Sequence, residues 1–227
     1  MEPKVVGVIP ARLESKRFYG KVLFKYRGNP LIQYLYSELS KSKAMDKLII
    51  ATDNRKVEQA AKAFGAEVVM TPKKFRTGSD RVAFVMNSTP GEIFVNIQAD
   101  AFGVNPKALD RAIGKFASDP DIEYGTLVRK ITKDSELNDH NAVKVVLKKN
   151  NDAAWFSRQA LPYIRHANRK PRARQAGYYY HIGVYFFRRK ALQQFTSWPA
   201  SPAEKAESLE QLRILENGKV FACLLLI

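Results

Sequence analysis

The segment Pro10-Ala11-Arg12-Leu13-Glu14-Ser15-Lys16-Arg17-Phe18-Tyr19-Gly20-Lys21 concentrates groups that handle anions. Arg12, Lys16, Arg17 and Lys21 bring positive charge, Ser15 brings a hydroxyl, and Gly20 lets the backbone approach a ligand closely. A loop of this kind can hold a triphosphate through backbone N–H groups and cationic side chains. It is not a P-loop, which needs Gly-Lys followed by Ser or Thr, and it is not a GxGxxG dinucleotide fingerprint. Taken alone, it fits a solvated basic turn equally well. A second concentration of charge, Leu161 to Lys190, holds Arg165, Arg169, Lys170, Arg172, Arg174, Arg188, Arg189 and Lys190 with no acid among them. Tyr178, Tyr179 and Tyr180 beside it could stack on bases, so a phosphate-backbone patch and a solvated loop both remain open.

The elements around the first loop decide what it can serve. Val5 to Ile9, Lys47 to Ala51, Glu67 to Met70 and Ile93 to Ile97 are short apolar runs that predict buried strands. Between them Leu31 to Lys43, Val57 to Phe64 and Asp80 to Met86 repeat apolar residues at helical spacing. Strands alternating with helices predict βαβ units, a mainly parallel sheet and an α/β fold. Ligands of such sheets bind beyond the carboxyl ends of the strands, where strand order reverses. That directs attention to Pro10–Lys21, Thr52-Asp53, Thr71–Arg81 and Gln98–Asn105. After a helix over Pro106–Phe116, the runs Tyr124–Val128, Val143–Leu147, Ala153–Phe156 and His181–Phe187 predict strands of an inserted lobe. Glu204–Glu216 predicts a last helix, stopped by Asn217-Gly218, and Val220–Leu226 a last strand.

Composition narrows the class. The 227 residues carry 38 Lys or Arg against 22 Asp or Glu, a formal charge of +16, which points to anionic partners. With 45% hydrophobic residues the chain can build a core, so intrinsic disorder is excluded. The single cysteine, Cys223, excludes a disulfide framework and suits a reducing cytosol. Neither a signal peptide nor a run of the ~20 apolar residues a membrane span needs is visible, so a cytoplasmic location is expected. No helix-turn-helix or zinc-finger spacing accompanies the charge, and charge alone does not make a nucleic-acid binder.

The first loop resembles the signature Pro-Ala-Arg-x-x-Ser-x-Arg-x-x-Gly-Lys of sugar nucleotidyltransferases. It is most similar to that of the 3-deoxy-manno-octulosonate (KDO) cytidylyltransferases, or CMP-KDO synthetases. Further likenesses follow in order: Ile50-Ala51-Thr52-Asp53, Val69-Met70-Thr71, Thr77-Gly78-Ser79-Asp80-Arg81 and Val95-Asn96-Ile97-Gln98-Ala99-Asp100. Val143-Lys144-Val145-Val146, Phe156-Ser157-Arg158 and His181-Ile182-Gly183-Val184-Tyr185 come next. Trp198-Pro199, Ser201-Pro202 and Glu207-Ser208-Leu209-Glu210-Gln211-Leu212-Arg213 complete the series over nearly the whole chain.

The resemblance implies a Rossmann-like nucleotide-diphospho-sugar transferase fold. A mainly parallel central sheet would carry helices on both faces and an inserted β-rich dimerisation lobe. Residues 1–227 would form a single domain, with 1–120 the nucleotide-binding half, 121–190 the sugar-binding and dimer lobe, and 191–227 a shortened C-terminal helix and strand. The implied reaction joins CTP to KDO, an anionic sugar acid, giving CMP-KDO and pyrophosphate for lipopolysaccharide assembly. By resemblance Arg12, Lys21 and Asp100 are catalytic, and Pro10, Ala11, Arg12, Ser15, Lys21 and Gln98 hold the nucleotide, with Arg17 beside them. Arg81, Gln98, His181, Tyr185, Glu210 and Gln211 would bind substrate, and Asp100 would ligate Mg2+. A homodimer is implied, with no membrane partner. Transfer to a related acid, such as amino-KDO or a sialic acid, and nucleotide binding without turnover are the alternatives.

The sequence departs from the family pattern in three places. Leu-Pro before Gly-Lys is Phe18-Tyr19, which removes a stiffening proline. Gly-Asp-Glu-Pro is Ala99-Asp100-Ala101-Phe102, which keeps the aspartate and loses the glycine and the neighbouring carboxylate. The sequence stops at Ile227, before the Gly-Val-Asp-Thr-Pro segment that in the family brings a second metal aspartate. Read as it stands, it is expected to bind metal more weakly.

Overall fold

Pro10 ends the first strand and sends the chain into the basic loop, and the strands beside it share its direction. The computed structural model describes residues 4–14, 19–166 and 170–226. In chain order the elements begin with β1 (Val5–Pro10), β2 (Lys25–Tyr26), β3 (Asn29–Pro30), α1 (Leu31–Leu39) and β4 (Lys47–Thr52). They continue with α2 (Arg55–Ala63), β5 (Glu67–Met70), α3 (Gly78–Ser88), β6 (Ile93–Ile97) and α4 (Pro106–Ser118). Then come β7 (Tyr124–Lys130), α5 (Asp134–Asn138), β8 (Lys144–Leu147), β9 (Ala153–Ser157) and β10 (Tyr179–Arg188). The chain closes with α6 (Arg189–Ser197), α7 (Pro202–Glu207), α8 (Leu212–Glu216) and β11 (Ala222–Leu225).

Contacts divide the chain into two compact units. The first runs to Asp119 and includes Gly183–Thr196; the second comprises Pro120–Ile182 and the residues from Ser197 on. Residues after 196 therefore cluster with the inserted segment rather than forming a piece of their own.

In the first unit β1 pairs in parallel with β4 on one side and β6 on the other, and β5 extends the sheet beyond β4. Strand order thus reverses at β1, and the carboxyl ends of β1, β4, β5 and β6 share one edge. From Gly183 on, β10 lies antiparallel against β6. β6 is buried throughout and β1 almost so, which explains their unbroken apolar runs. α3 packs against β1 and β6. Its start is fixed by a capping box, in which the Thr77 hydroxyl accepts from the Asp80 N–H while the Asp80 carboxylate accepts from the Thr77 N–H. Asn54 and Asn105 cap α2 and α4 by their side-chain oxygens alone, which accept from Lys56 N–H and from the N–H groups of Lys107 and Ala108.

The predicted strands of this unit are all present, but Glu67–Met70, expected to be buried, is β5 at the end of the sheet and only partly covered. α1 is shorter than expected and stops at Leu39, because the chain turns there: the Asp110 carboxylate of α4 accepts from the N–H groups of Lys43 and Ala44 and the hydroxyl of Ser42. α6 was not foreseen at all. It follows β10 directly and buries Ala191, Leu192 and Phe195. Arg188 and Arg189, read in the sequence as part of a basic run, close the ends of two helices. Arg189 donates to the carbonyls of Met86 (3.0 Å), Thr89 (2.6 Å) and Gly91 (2.7 Å) after α3 while lying over the Phe94 ring. Arg188 donates to Phe116 and Asp119 carbonyls at the end of α4.

In the second unit β7 and β11 pair in parallel, and β8 pairs antiparallel with both β9 and the first residues of β10. Phe156 packs against Phe221 and His181, and Tyr178 gathers Ile131, Leu137 and Ala173 in a smaller cluster. The helix expected over Glu204–Glu216 is two helices. Ser208 between them adopts the left-handed conformation (φ 53°), and Pro202 in the first turn with a Ser201–Glu204 capping box places the first start earlier.

Candidate active site

In the first unit the loop after β1 is closed by its own backbone: the Gly20 N–H donates to the Leu13 carbonyl (2.8 Å), and Gly20 stands at φ 73°. That left-handed turn leads into a short 3-10 turn whose first residue is Lys21. Lys21 Nζ lies 3.5 Å from Asp100 Oδ2, so the loop after β1 and the loop after β6 meet through an ion pair. Both side chains are substantially exposed (34% and 53%), so the pair contributes little stability and can open to a ligand. Arg12 reaches the third loop of this edge, donating to the carbonyls of Phe75 (2.6 Å) and Thr77 (3.3 Å). Three loops at one sheet edge are thereby tied together by cationic side chains and backbone.

Gln98 sits where β6 ends. Its N–H donates to the Gly183 carbonyl (3.1 Å), its carbonyl accepts from Ala101 N–H, and its side-chain amide approaches the Tyr185 hydroxyl at 3.4 Å. Gly183 has φ 75°, and a Cβ there would lie 2.7 Å from Gln98 Oε1. Glycine at 183 therefore makes room for the Gln98 side chain. Arg81, by contrast, is fully buried; it pairs with Asp53 (2.6 Å) and donates to the Thr71 hydroxyl. Its guanidinium joins the loops after β4 and β5 from beneath. Asn96, also fully buried, donates to Ser79 Oγ (3.1 Å), while its Oδ1 has no hydrogen-bond partner among the described residues.

The second unit holds His181, Glu210 and Gln211. Burial pushes His181 down to about 3 from 6.5, so the imidazole is neutral; it meets Phe156 edge-on at 5.3 Å. Gln211 is the N-cap residue of α8 and Glu210 lies in the turn before it, so neither is mid-helix. α8 packs against β9. Arg213 fixes this turn, donating to both carboxylate oxygens of Glu204 (2.7 and 2.6 Å) and to the Trp198 carbonyl.

Residues 6–221 match the family described as Cytidylyltransferase. The chain belongs to it. It is thus a nucleotidyltransferase, and the relatives agree on the kind. It is 41% identical over 96% of its length to the 3-deoxy-manno-octulosonate cytidylyltransferase of Solibacter usitatus, covering 84% of that protein. Identity to the enzyme of the same name from Parabacteroides distasonis is also 41%, over 95% of this chain and 87% of that one. A solved CMP:2-keto-3-deoxy-manno-octonic acid synthetase complexed with CTP superposes with TM-score 0.88 at 36% identity, covering 98% of this chain and 89% of that one. A T. maritima inositol-1-phosphate CTP transferase at 17% identity and TM-score 0.64 shares the fold.

Of the residues named from the sequence of this cytidylyltransferase, the first unit brings Lys21 against Asp100 and Gln98 against Tyr185. Pro10 and Ala11 lead from β1 into the loop, and Arg12 binds the loop before α3. Ser15 and Arg17 lie outside the described residues. Sequence reasoning overlooked Asn96 and Ser79 as a polar link beneath the site, although an asparagine within an apolar strand was the visible signal. Asp53 was noticed as part of a motif but not as the partner of Arg81.

Asp100 suits a divalent cation in one respect: its carboxylate is half-exposed, and its Lys21 contact is too long for a strong charge-assisted hydrogen bond. Among the described residues no three His, Cys, Asp or Glu side chains form a metal cage. A lone carboxylate fits magnesium carried in on nucleotide phosphates, which keeps several waters.

Proposed function

We infer that this chain transfers CMP from CTP to 3-deoxy-manno-octulosonate, releasing pyrophosphate. The observation that carries the reading is near-full-length likeness, at 36% identity, to a CMP-KDO synthetase complexed with CTP. The geometry of the first unit is consistent with that chemistry. The sugar's anomeric oxygen attacks the α-phosphorus and pyrophosphate leaves in line, a reaction that needs charge neutralisation and positioning above all.

Lys21 supplies a movable positive charge at the mouth of the site; on leaving Asp100 it can meet a phosphate oxygen. Arg12 positions the loop before α3, and Gln98 offers an amide held in place by Gly183 and Tyr185. Asp100 would hold Mg2+, which when bound would neutralise charge on the phosphates. Arg81 acts from below, keeping Asp53 and Thr71 in register. In the second unit a neutral His181 and the Glu210-Gln211 turn supply donors and acceptors suited to a polyhydroxy acid. The resemblance further implies pairing of two copies through the lobe containing Ala153–Arg158 and Tyr180–Tyr185, where the partly exposed Trp155 is a surface a second copy would cover; sedimentation tests it.

The deciding experiment is pyrophosphate release by the purified chain with CTP, KDO and Mg2+, each omitted in turn. Release that requires all three supports the reading. A folded chain that releases none with KDO, yet turns over with a related sugar acid, would change the acceptor.

A further inference from the structure

We propose that Phe102 is a positioning residue for Lys21, and that its ring face holds the ammonium ready for the phosphates of the nucleotide. The proposal rests on the cytidylyltransferase reading and deepens it. Where the family pattern has proline two residues after the aspartate, this chain has phenylalanine. The loop after β6 determines where the ring goes. The Ala101 N–H donates back to the Gln98 carbonyl (2.9 Å), Gly103 turns the chain at φ 82°, and Asn105 caps α4. Ala101 and Val104 point into the core, at 4% and 6% exposure, while Phe102 between them stays outside at 36%. The ring is therefore not consumed by core packing. It lies 5.7 Å from Lys21 Nζ, within the ~6 Å reach of a cation–π contact.

Two groups thus share the ammonium, Asp100 and the Phe102 ring. They differ in what happens when substrate arrives. Asp100 is an anion that Lys21 must give up to serve a phosphate, whereas an aromatic face attracts the cation without carrying net charge. The ring can keep its contact while the ammonium changes partner. This matters here because Tyr19 stands where the family's loop has its stiffening proline, and Tyr19 is exposed. An aromatic rest for Lys21 supplies, from the loop after β6, some of the positioning that the family's proline would give.

The test is CTP affinity by calorimetry, with chelator and then with Mg2+, for the wild-type chain, Phe102→Leu, Phe102→Tyr, Lys21→Met and the double variant Lys21→Met/Phe102→Leu. Leucine keeps the apolar bulk and removes the π face; tyrosine keeps the face. The expected result is CTP binding weakened about two- to five-fold by Phe102→Leu, unchanged by Phe102→Tyr, and unaffected by Phe102→Leu once Lys21 is methionine. Equal affinity in Phe102→Leu and wild type would overturn the proposal. So would a Phe102→Leu loss of the same size in the Lys21→Met background, since the ring would then act otherwise than through Lys21. Should the wild-type chain itself bind no CTP, the cytidylyltransferase reading fails; wild-type binding that ignores Phe102 sinks this proposal alone.

Discussion

Replacing Gly183 by alanine tests how the Gln98 amide is held. Gly183 has φ 75°, and its carbonyl accepts the Gln98 N–H at 3.1 Å. An alanine there must keep a left-handed backbone, at a cost of about 1–2 kcal/mol. Its Cβ would also stand 2.7 Å from Gln98 Oε1, closer than real contacts allow, and a tight 3.2 Å from Cδ. The flexible amide must swing away, losing its 3.4 Å approach to the Tyr185 hydroxyl. That contact is long, so its loss adds about 0.5–1 kcal/mol. The sum, about 1.5–3 kcal/mol, corresponds to a fall of about 3–12 °C in Tm for a chain of this size. On the proposed function Gln98 serves the nucleotide, so the same swing should raise KM for CTP. Thermal unfolding and steady-state pyrophosphate release measure the two effects together. In a Gln98→Ala background the steric part disappears and about 1–2 kcal/mol of backbone cost should remain. A Gly183→Ala chain that melts like the wild type with an unaltered KM would refute the reasoning.

Asp100→Ala should abolish pyrophosphate release while leaving the unfolding transition in place, because its ion pair is exposed and contributes little; a wild-type rate would reject Asp100 as the cation ligand. Arg213→Met should cost about 3–5 kcal/mol in urea unfolding, since it strands the buried Glu204 carboxylate, and adding Glu204→Met should recover most of that. Burial holds His181 at about 3 in the folded chain against 6.5 ordinarily, so below pH 6.5 the unfolded chain binds the extra proton. Stability is then fully present above that value and declines by up to about 1.4 kcal/mol per unit as pH falls toward the folded value. Denaturant titrations between about pH 7 and pH 5 should show the slope, and His181→Asn should flatten it.

The parallel sheet was legible because β1, β4 and β6 are almost wholly buried and read as continuous apolar runs. Val5–Ile9 and Ile93–Ile97 leave little doubt, and the loops at their carboxyl ends followed from general rules about such sheets. The Lys21–Asp100 pairing was legible only as two motifs, since nothing in sequence spacing brings residues 21 and 100 together. α6 escaped because Arg189 and Lys190 at its start read as the end of a basic run, and its three buried residues are few. The break in the last helix escaped because Ser208 is an ordinary residue there; its left-handed backbone follows from local geometry that periodicity does not encode. Arg81 was ambiguous for a different reason: an arginine bound to substrate and one bound to a buried aspartate look alike in sequence.

Arg189 makes the end of α3 depend on a residue synthesised much later. The carbonyls of Met86, Thr89 and Gly91 that it satisfies precede it by roughly one hundred residues. During synthesis at ~5–20 residues per second, those groups face water for about 5–20 s before their partner emerges. β6 to β9 are made in that interval, but the C-terminal turn of α3 lacks its arginine cap until β10 has passed and paired with β6. The nascent chain therefore carries an unfinished helix end through nearly half of its translation. Pulse-labelled hydrogen exchange on stalled chains should find the Thr89 N–H, which donates to the Met86 carbonyl at this helix end, exchanging fast until Arg189 has cleared the ribosome.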